Sequence, residues 1–179
     1  MKTRDMVLTG VMAALLCIAG PLSIPVGPIP LSLASFAVYL AGAVLGWKRG
    51  VAAVALYLLI GITGVPVFSG FTGGFQKLAG VTGGYLIGYL FCALITGLGA
   101  GTPDRPVSRP LPVTILLMAA GTLVLYIFGT AWFVLQTGKT VGAALGLCVL
   151  PFLPGDAAKI IAASLISVPV RRALSASPA

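Results

Sequence analysis

Residues 111–136 read LPVTILLMAAGTLVLYIFGTAWFVLQ, a run without one charged side chain from Leu111 to Gln136. A helix needs about 20 residues to cross a hydrocarbon core of ~30 Å, so this stretch is a membrane span by length and composition. Working outward from it gives five more candidates: Met6–Leu22, Leu31–Trp47, Val51–Val67, Gly83–Gly101 and Phe152–Val170. The fold class that follows is all-α and integral to the membrane. Six transmembrane helices make a single domain over residues 1–179. The run Val141–Leu150 is also apolar, but it is short and holds Gly142 and Gly146. It reads as an interfacial or re-entrant helix.

Local chemistry sets the breaks. Pro21, Pro25, Pro28 and Pro30 cannot share one continuous helix, and Lys48-Arg49-Gly50 reads as a tight polar turn. Gly101 to Pro112 is a polar, proline-rich connector. The start of the chain imitates a secretory signal, with Lys2 and Arg4 before an apolar run that closes on Ala19-Gly20, and Ala14-Leu15-Leu16-Cys17 loosely imitates a lipoprotein box. No soluble domain follows, so the segment is read as the first span.

Composition agrees. The chain is 59% hydrophobic and 8% charged, with a mean hydropathy of +1.12. A soluble domain carries about 25% charged residues, so there is no polar shell here to face water. The net charge of +8 does not point to nucleic acid, because the cations flank apolar runs instead of forming a stripe with aromatic readers. With six spans, Lys2, Arg4, Lys48, Arg49, Arg105, Arg109, Arg171 and Arg172 fall on one side, leaving Lys77 and Lys139 on the other. The positive-inside rule then makes both termini cytoplasmic. The outward loops, Gly20–Pro30, Gly64–Thr82 and Gly138–Pro154, are long and rich in Gly and Pro.

Much chemistry is excluded. The chain has no histidine, which removes a His/Cys metal site and a His-activated nucleophile. Cys17, Cys92 and Cys148 read as buried free thiols. No Walker spacing is present, so the chain cannot be a nucleotide-driven motor. The halves show no internal repeat, and no cofactor is implied.

Only three acids remain to be weighed. Asp5 beside Arg4 and Asp104 beside Arg105 read as solvated surface pairs. Asp156, in Pro151-Phe152-Leu153-Pro154-Gly155-Asp156-Ala157-Ala158-Lys159, stands at the mouth of the last span, with Lys159 one turn on along the same face. A first-turn acid facing the helix dipole explains the position of Asp156, and snorkelling explains that of Lys159. Neither explains keeping two ionisable groups beside lipid, where such groups are costly and functional. The pair suits a small solute with a polar head. A second constellation, residues 64–77 continuing to Gly80-Val81-Thr82-Gly83-Gly84-Tyr85, interleaves glycines with Phe68, Phe71, Phe75 and Tyr85. It reads as a shaped lid whose Thr72-Gly73-Gly74 backbone approaches a ligand. Gly10 and Ala14 form a small-x-x-x-small pair on the first span, for internal packing or for docking on another membrane subunit.

Gly64-Val65-Pro66-Val67-Phe68-Ser69-Gly70, the later Gly-Val-Thr-Gly-Gly-Tyr and the closing Pro-Phe-Leu-Pro-Gly-Asp-Ala-Ala-Lys together resemble the BioY family over nearly the whole chain. These are the biotin-specific S-components of energy-coupling-factor (ECF) vitamin transporters. The resemblance implies a six-helix protein of the cell membrane that holds biotin near the outer face, under the loops after the first and third helices. It implies partners as well: a membrane coupling protein and ATP-hydrolysing subunits that drive inward release, with Gly10 and Ala14 contacting the coupling protein. Asp156 and Lys159 would then meet the ureido ring or the carboxylate of biotin, either residue at either head. Phe68, Tyr85 and Trp132 would pack its rings, and Thr72, Gly73 and Gly74 would close over it. The chain differs from the common family pattern at Ala34, Thr72 and Val81. An S-component for another small vitamin-like solute, and a membrane-embedded enzyme or assembly factor, are the competing readings.

Overall fold

The computed structural model describes residues 3–102, 105–106 and 109–176. Among them the architecture is all-helical, with two minor two-stranded ribbons. The chain runs α1 (Thr3–Ala19), β1 (Ser23–Pro25), β2 (Pro30–Ser32), α2 (Ala34–Leu45), α3 (Trp47–Ile62), α4 (Phe75–Ala79) and α5 (Gly83–Gly97). It continues through β3 (Gly101–Thr102), β4 (Arg105–Pro106), α6 (Leu111–Thr137), α7 (Val141–Cys148) and α8 (Leu153–Ala176). Two helices, α6 and α8, are long and apolar enough to cross a membrane, while α2 and α5 are apolar but shorter. Large apolar side chains stand exposed along α1 (Met6, Val7, Val11, Ile18), α6 (Leu116, Leu123, Ile127) and α8 (Ile161, Leu165), an outer surface that water does not tolerate.

The bundle is built around α2. Of its residues only Phe36 is not fully buried, and it packs against α1, α3, α5 and α8. Small side chains permit this. A Cβ on Gly42 would lie 2.6 Å from the Ala93 carbonyl oxygen, and one on Gly50 of α3 would lie 2.9 Å from that of Ala41. The most extensive helix pair, α5 and α6, closes the same way through Gly84, Gly88, Gly121 and Gly129. Where lipid removes the hydrophobic drive between helices, such close backbone approach is what remains to hold them.

The connection between α1 and α2 is a hairpin. Ser23, Ile24 and Pro25 pair antiparallel with Ser32, Leu31 and Pro30, so the prolines that stop α1 also shape a ribbon. The turn expected at Lys48-Arg49-Gly50 lies earlier. Those residues belong to α3, and the chain reverses at Gly46 (φ 78°), a backbone region closed to most L side chains. Gly50 serves the contact with α2 instead. The span expected at Leu31–Trp47 is helical only over Ala34–Leu45, and the loop expected at Gly64–Thr82 contains α4.

One end of the bundle gathers arginines. Arg4 donates to the Leu174 carbonyl, placing the start of α1 beside the end of α8. Arg171 donates to the carbonyl of Ala100. Arg109 donates to those of Leu98 (2.7 Å) and Thr96 (3.3 Å), capping the end of α5. Asp5, expected to be solvated, is only 5% exposed and pairs with Arg49 at 2.6 Å, because α3 brings its first turn against that of α1. Asp104 and Lys2 lie outside the described residues. Cys17, Cys92 and Cys148 are free thiols.

Breaking a buried ion pair by removing one partner typically costs about 3–5 kcal/mol. Asp5→Asn and Arg49→Met should therefore each lower the melting temperature in detergent by several degrees. The double variant should lose less than the sum of the two, and strict additivity would show that the pair is not coupled.

Candidate functional site

The site forms where α8 begins. Proline at position 154 suits the first turn of a helix, where no intrahelical N–H partner is needed, and Gly155 sits 3.3 Å, measured from a built Cβ, from the Leu31 side chain of the hairpin. The Asp156 N–H donates to the Phe152 carbonyl at 2.8 Å, fixing the acid in the first turn of α8. Asp156 is 5% exposed. Its Oδ1 accepts from the Ser35 hydroxyl (3.2 Å) and from Lys159 Nζ (3.0 Å), and its Oδ2 accepts from the Tyr126 hydroxyl at 2.7 Å.

Lys159 is equally occupied. Its ammonium donates to the Ser32 carbonyl (2.7 Å), the Ser35 hydroxyl (3.0 Å) and Asp156 Oδ1 (3.0 Å). An ammonium has three N–H donors, so all are used. The network thus joins α8, α2, α6 and β2; a ligand reaches the Lys159 donors only by exchange, whereas Asp156 Oδ2 can accept a further donor. Such a site can accept N–H donors at a carboxylate and donate to a carbonyl or carboxylate from an ammonium.

Beside the pair opens a narrow cavity, with an enclosed volume of about 50 Å³ that widens towards its mouth. Tyr57, Tyr85, Tyr89, Tyr126 and Phe152 supply aromatic wall. Ile29, Pro30 and Leu31 of the hairpin face one side, while Ser69, Lys77 and Thr82 come from the α3–α5 connection.

Of the residues singled out in the sequence, Asp156, Lys159 and Tyr85 line this cavity. Tyr85 is anchored by its hydroxyl to the Cys148 carbonyl at 2.9 Å. Phe68 is not a lining residue. It is fully buried, edge-on to Tyr57 at 5.5 Å, and backs the wall that Tyr57 forms. Thr72 pairs with Phe68 through the backbone and donates its hydroxyl to the Ser69 carbonyl at 2.9 Å, closing the turn that carries Ser69. Gly73 lies against the Val65 carbonyl, and the Gly74 N–H donates to the Gly61 carbonyl at 2.7 Å, folding this backbone onto α3. Trp132 donates its indole N–H to the Gly80 carbonyl at 2.9 Å and packs on Gly84, bracing the entry to α5. Gly10 and Ala14 are exposed on α1, and a Cβ on Gly10 meets nothing within 4 Å.

Ser35, Tyr126, Tyr57 and Tyr89 line the cavity without belonging to any motif legible in the sequence. The available signal was hydroxyl groups inside apolar spans, as with Tyr126 between Thr122 and Thr130 in α6. A buried phenol or serine in such a helix needs a partner, and here Asp156 is that partner for Tyr126 and Ser35.

Residues 1–176 match the BioY family. A Pyrococcus horikoshii protein named as a probable biotin transporter BioY is 36% identical over 167 residues, covering 93% of this chain and 96% of its own. The biotin transporter BioY of Thermotoga maritima is 35% identical over 170 residues, with coverages of 94% and 96%. That of Rhizobium etli is 36% identical over 173 residues, with coverages of 93% and 92%. Among solved structures, the S-component for biotin from an ECF-type ABC transporter superposes with a TM-score of 0.84 at 27% identity. It covers 98% of this chain and 93% of its own.

The Lys159 bond to the Ser32 carbonyl should hold the hairpin against the bundle. Lys159→Met is expected to raise amide hydrogen exchange across residues 23–32 at least tenfold while leaving α3 and α5 protected. Unchanged exchange in the hairpin would show that it is held by other contacts.

Proposed function

The chain belongs to the BioY family, and we propose that it is the biotin-binding membrane subunit of an ECF-type vitamin uptake transporter. It is a transport component, not an enzyme. The observation that carries the reading is the buried Asp156–Lys159 pair at the base of an aromatic cavity. A cyclic urea offers N–H donors and a carbonyl acceptor together, which is the complement of a carboxylate set beside an ammonium. The apolar rings and alkyl chain of biotin suit walls of Tyr57, Tyr85, Tyr89 and Tyr126. Phe68 and Trp132 support those walls from behind. Thr72, Gly73 and Gly74 hold the turn that brings Ser69 to the cavity.

In the membrane, α1, α2, α3, α5, α6 and α8 are the six spans, and the arginine-rich end faces the cytoplasm with both termini. The cavity then opens outward, under the hairpin and the α3–α5 connection. Biotin is captured at the outer face of the cell membrane. Inward release needs an ATP-driven module, because this chain offers no nucleotide site in its sequence. A membrane coupling protein with ATP-hydrolysing subunits is the partner, and the exposed small-residue face of α1 at Gly10 and Ala14 is its docking surface, since small side chains let a second helix approach closely.

Titration calorimetry of the purified protein with biotin tests the first part. Wild type should bind. Asp156→Asn should weaken binding at least tenfold, since losing one partner of a buried charged contact costs about 2–5 kcal/mol. Wild-type affinity in that variant would remove Asp156 from the site, and binding of thiamin or riboflavin in place of biotin would change the solute. For the docking face, Gly10→Leu combined with Ala14→Leu should leave biotin affinity intact and abolish co-purification with the coupling protein. Retained co-purification would place the contact elsewhere.

A further inference from the structure

Three charged residues line the cavity: Asp156, Lys159 and Lys77. The first two neutralise each other at 3.0 Å, and every N–H of Lys159 is engaged within the protein. Lys77 differs. Its backbone is fixed, with its N–H donating to the Gly74 carbonyl at 3.1 Å and its carbonyl accepting from the Thr82 hydroxyl at 3.5 Å. The residue is half-buried, yet its ammonium has no hydrogen bond or ion pair among the described residues. Lys77 therefore brings to the α3–α5 side of the cavity a positive charge with no countercharge among the described residues, and Ser69 and Thr82 line the same cavity from that connection.

Resting on the biotin reading above, we infer that Lys77 receives the carboxylate of the ligand's side chain and sets the preference for the free acid over neutral derivatives. The two polar groups of such a ligand differ in what they need. A urea head is served by an acceptor beside a donor, which the Asp156–Lys159 pair supplies in charged form. A carboxylate beside Asp156 would meet a like charge, whereas at Lys77 it meets a cation with spare donors in a partly desolvated setting, where a charged hydrogen bond is strongest. The cavity thus has two unlike polar subsites, one on α8 and α2 and one on α4, and a ligand with unlike ends has one favoured orientation.

The test compares biotin with its primary amide, biotinamide, by calorimetry on purified wild type, Lys77→Met and Lys77→Arg. Wild type should favour the acid at least tenfold. Lys77→Met should lose at least tenfold in biotin affinity while holding the amide within about threefold, so that the preference disappears. Lys77→Arg, which keeps the charge, should retain it. A preference that survives in Lys77→Met, or equal losses for both ligands in that variant, would overturn the assignment of Lys77 with the biotin reading standing. Wild type that binds neither ligand would overturn the biotin reading itself, and this inference with it.

Discussion

A carboxylate and an ammonium set side by side in a lipid-embedded helix bundle are tolerated only when each is surrounded by partners, because taking either out of water costs several kcal/mol. Asp156 and Lys159 impose that requirement on everything near them. Satisfying Asp156 takes a phenol from α6 and a hydroxyl from α2, and satisfying Lys159 takes the same hydroxyl and a carbonyl from the hairpin. Four separate elements must therefore meet at the start of α8. α2 is buried because α1, α3, α5 and α8 pack around it. It is the helix that carries Ser35 to the pair, with β2 placing Ser32 directly before it.

Meeting there requires close helices, which is where the glycines act. Gly129 lies against the Tyr85 ring, with a built Cβ 2.3 Å from its Cζ, and Gly84 lies against Trp132. These contacts let α5 and α6 close until Tyr85 and Tyr126 both face the cavity. A side chain at either glycine would push the tyrosines apart before it disturbed the membrane-facing surface. The polar centre and the small-residue seams are thus two parts of one arrangement. The first sets where elements must converge, and the second allows them to.

The long features were legible in the sequence. The span Leu111–Gln136 coincides with α6 to within one residue, and the Asp156–Lys159 pair is bonded as its spacing suggests, because both follow from local composition and helical periodicity. What escaped depends on contacts distant in sequence. Asp5 seemed a partner of its neighbour Arg4, but α3 offers it Arg49 across the bundle. Lys48-Arg49-Gly50 has turn composition, yet Gly46 carries the turn because only there is the backbone at positive φ. Phe68 belongs to a motif rich in ligand-like residues, and its ring went inward because Gly61 leaves room for it. Ser35 and Tyr126 were unremarkable until α2 and α6 were brought to Asp156.

The closed network also bears on selectivity. Since no N–H of Lys159 is idle, any ligand taken up there would exchange internal bonds for external ones, with a net gain that is a difference between two well-satisfied states. A ligand that supplies both an acceptor for Lys159 and donors for Asp156 leaves no buried charge wanting. One that displaces an internal bond without replacing it would leave a desolvated ion short of a partner, a larger penalty than the bond itself is worth. One of the three Lys159 bonds holds the Ser32 carbonyl, so a ligand that displaced it would act on the hairpin beside the cavity. The same three donors thus tie the ion pair to α2 and to the hairpin at once, so a group that claimed one of them would act on both.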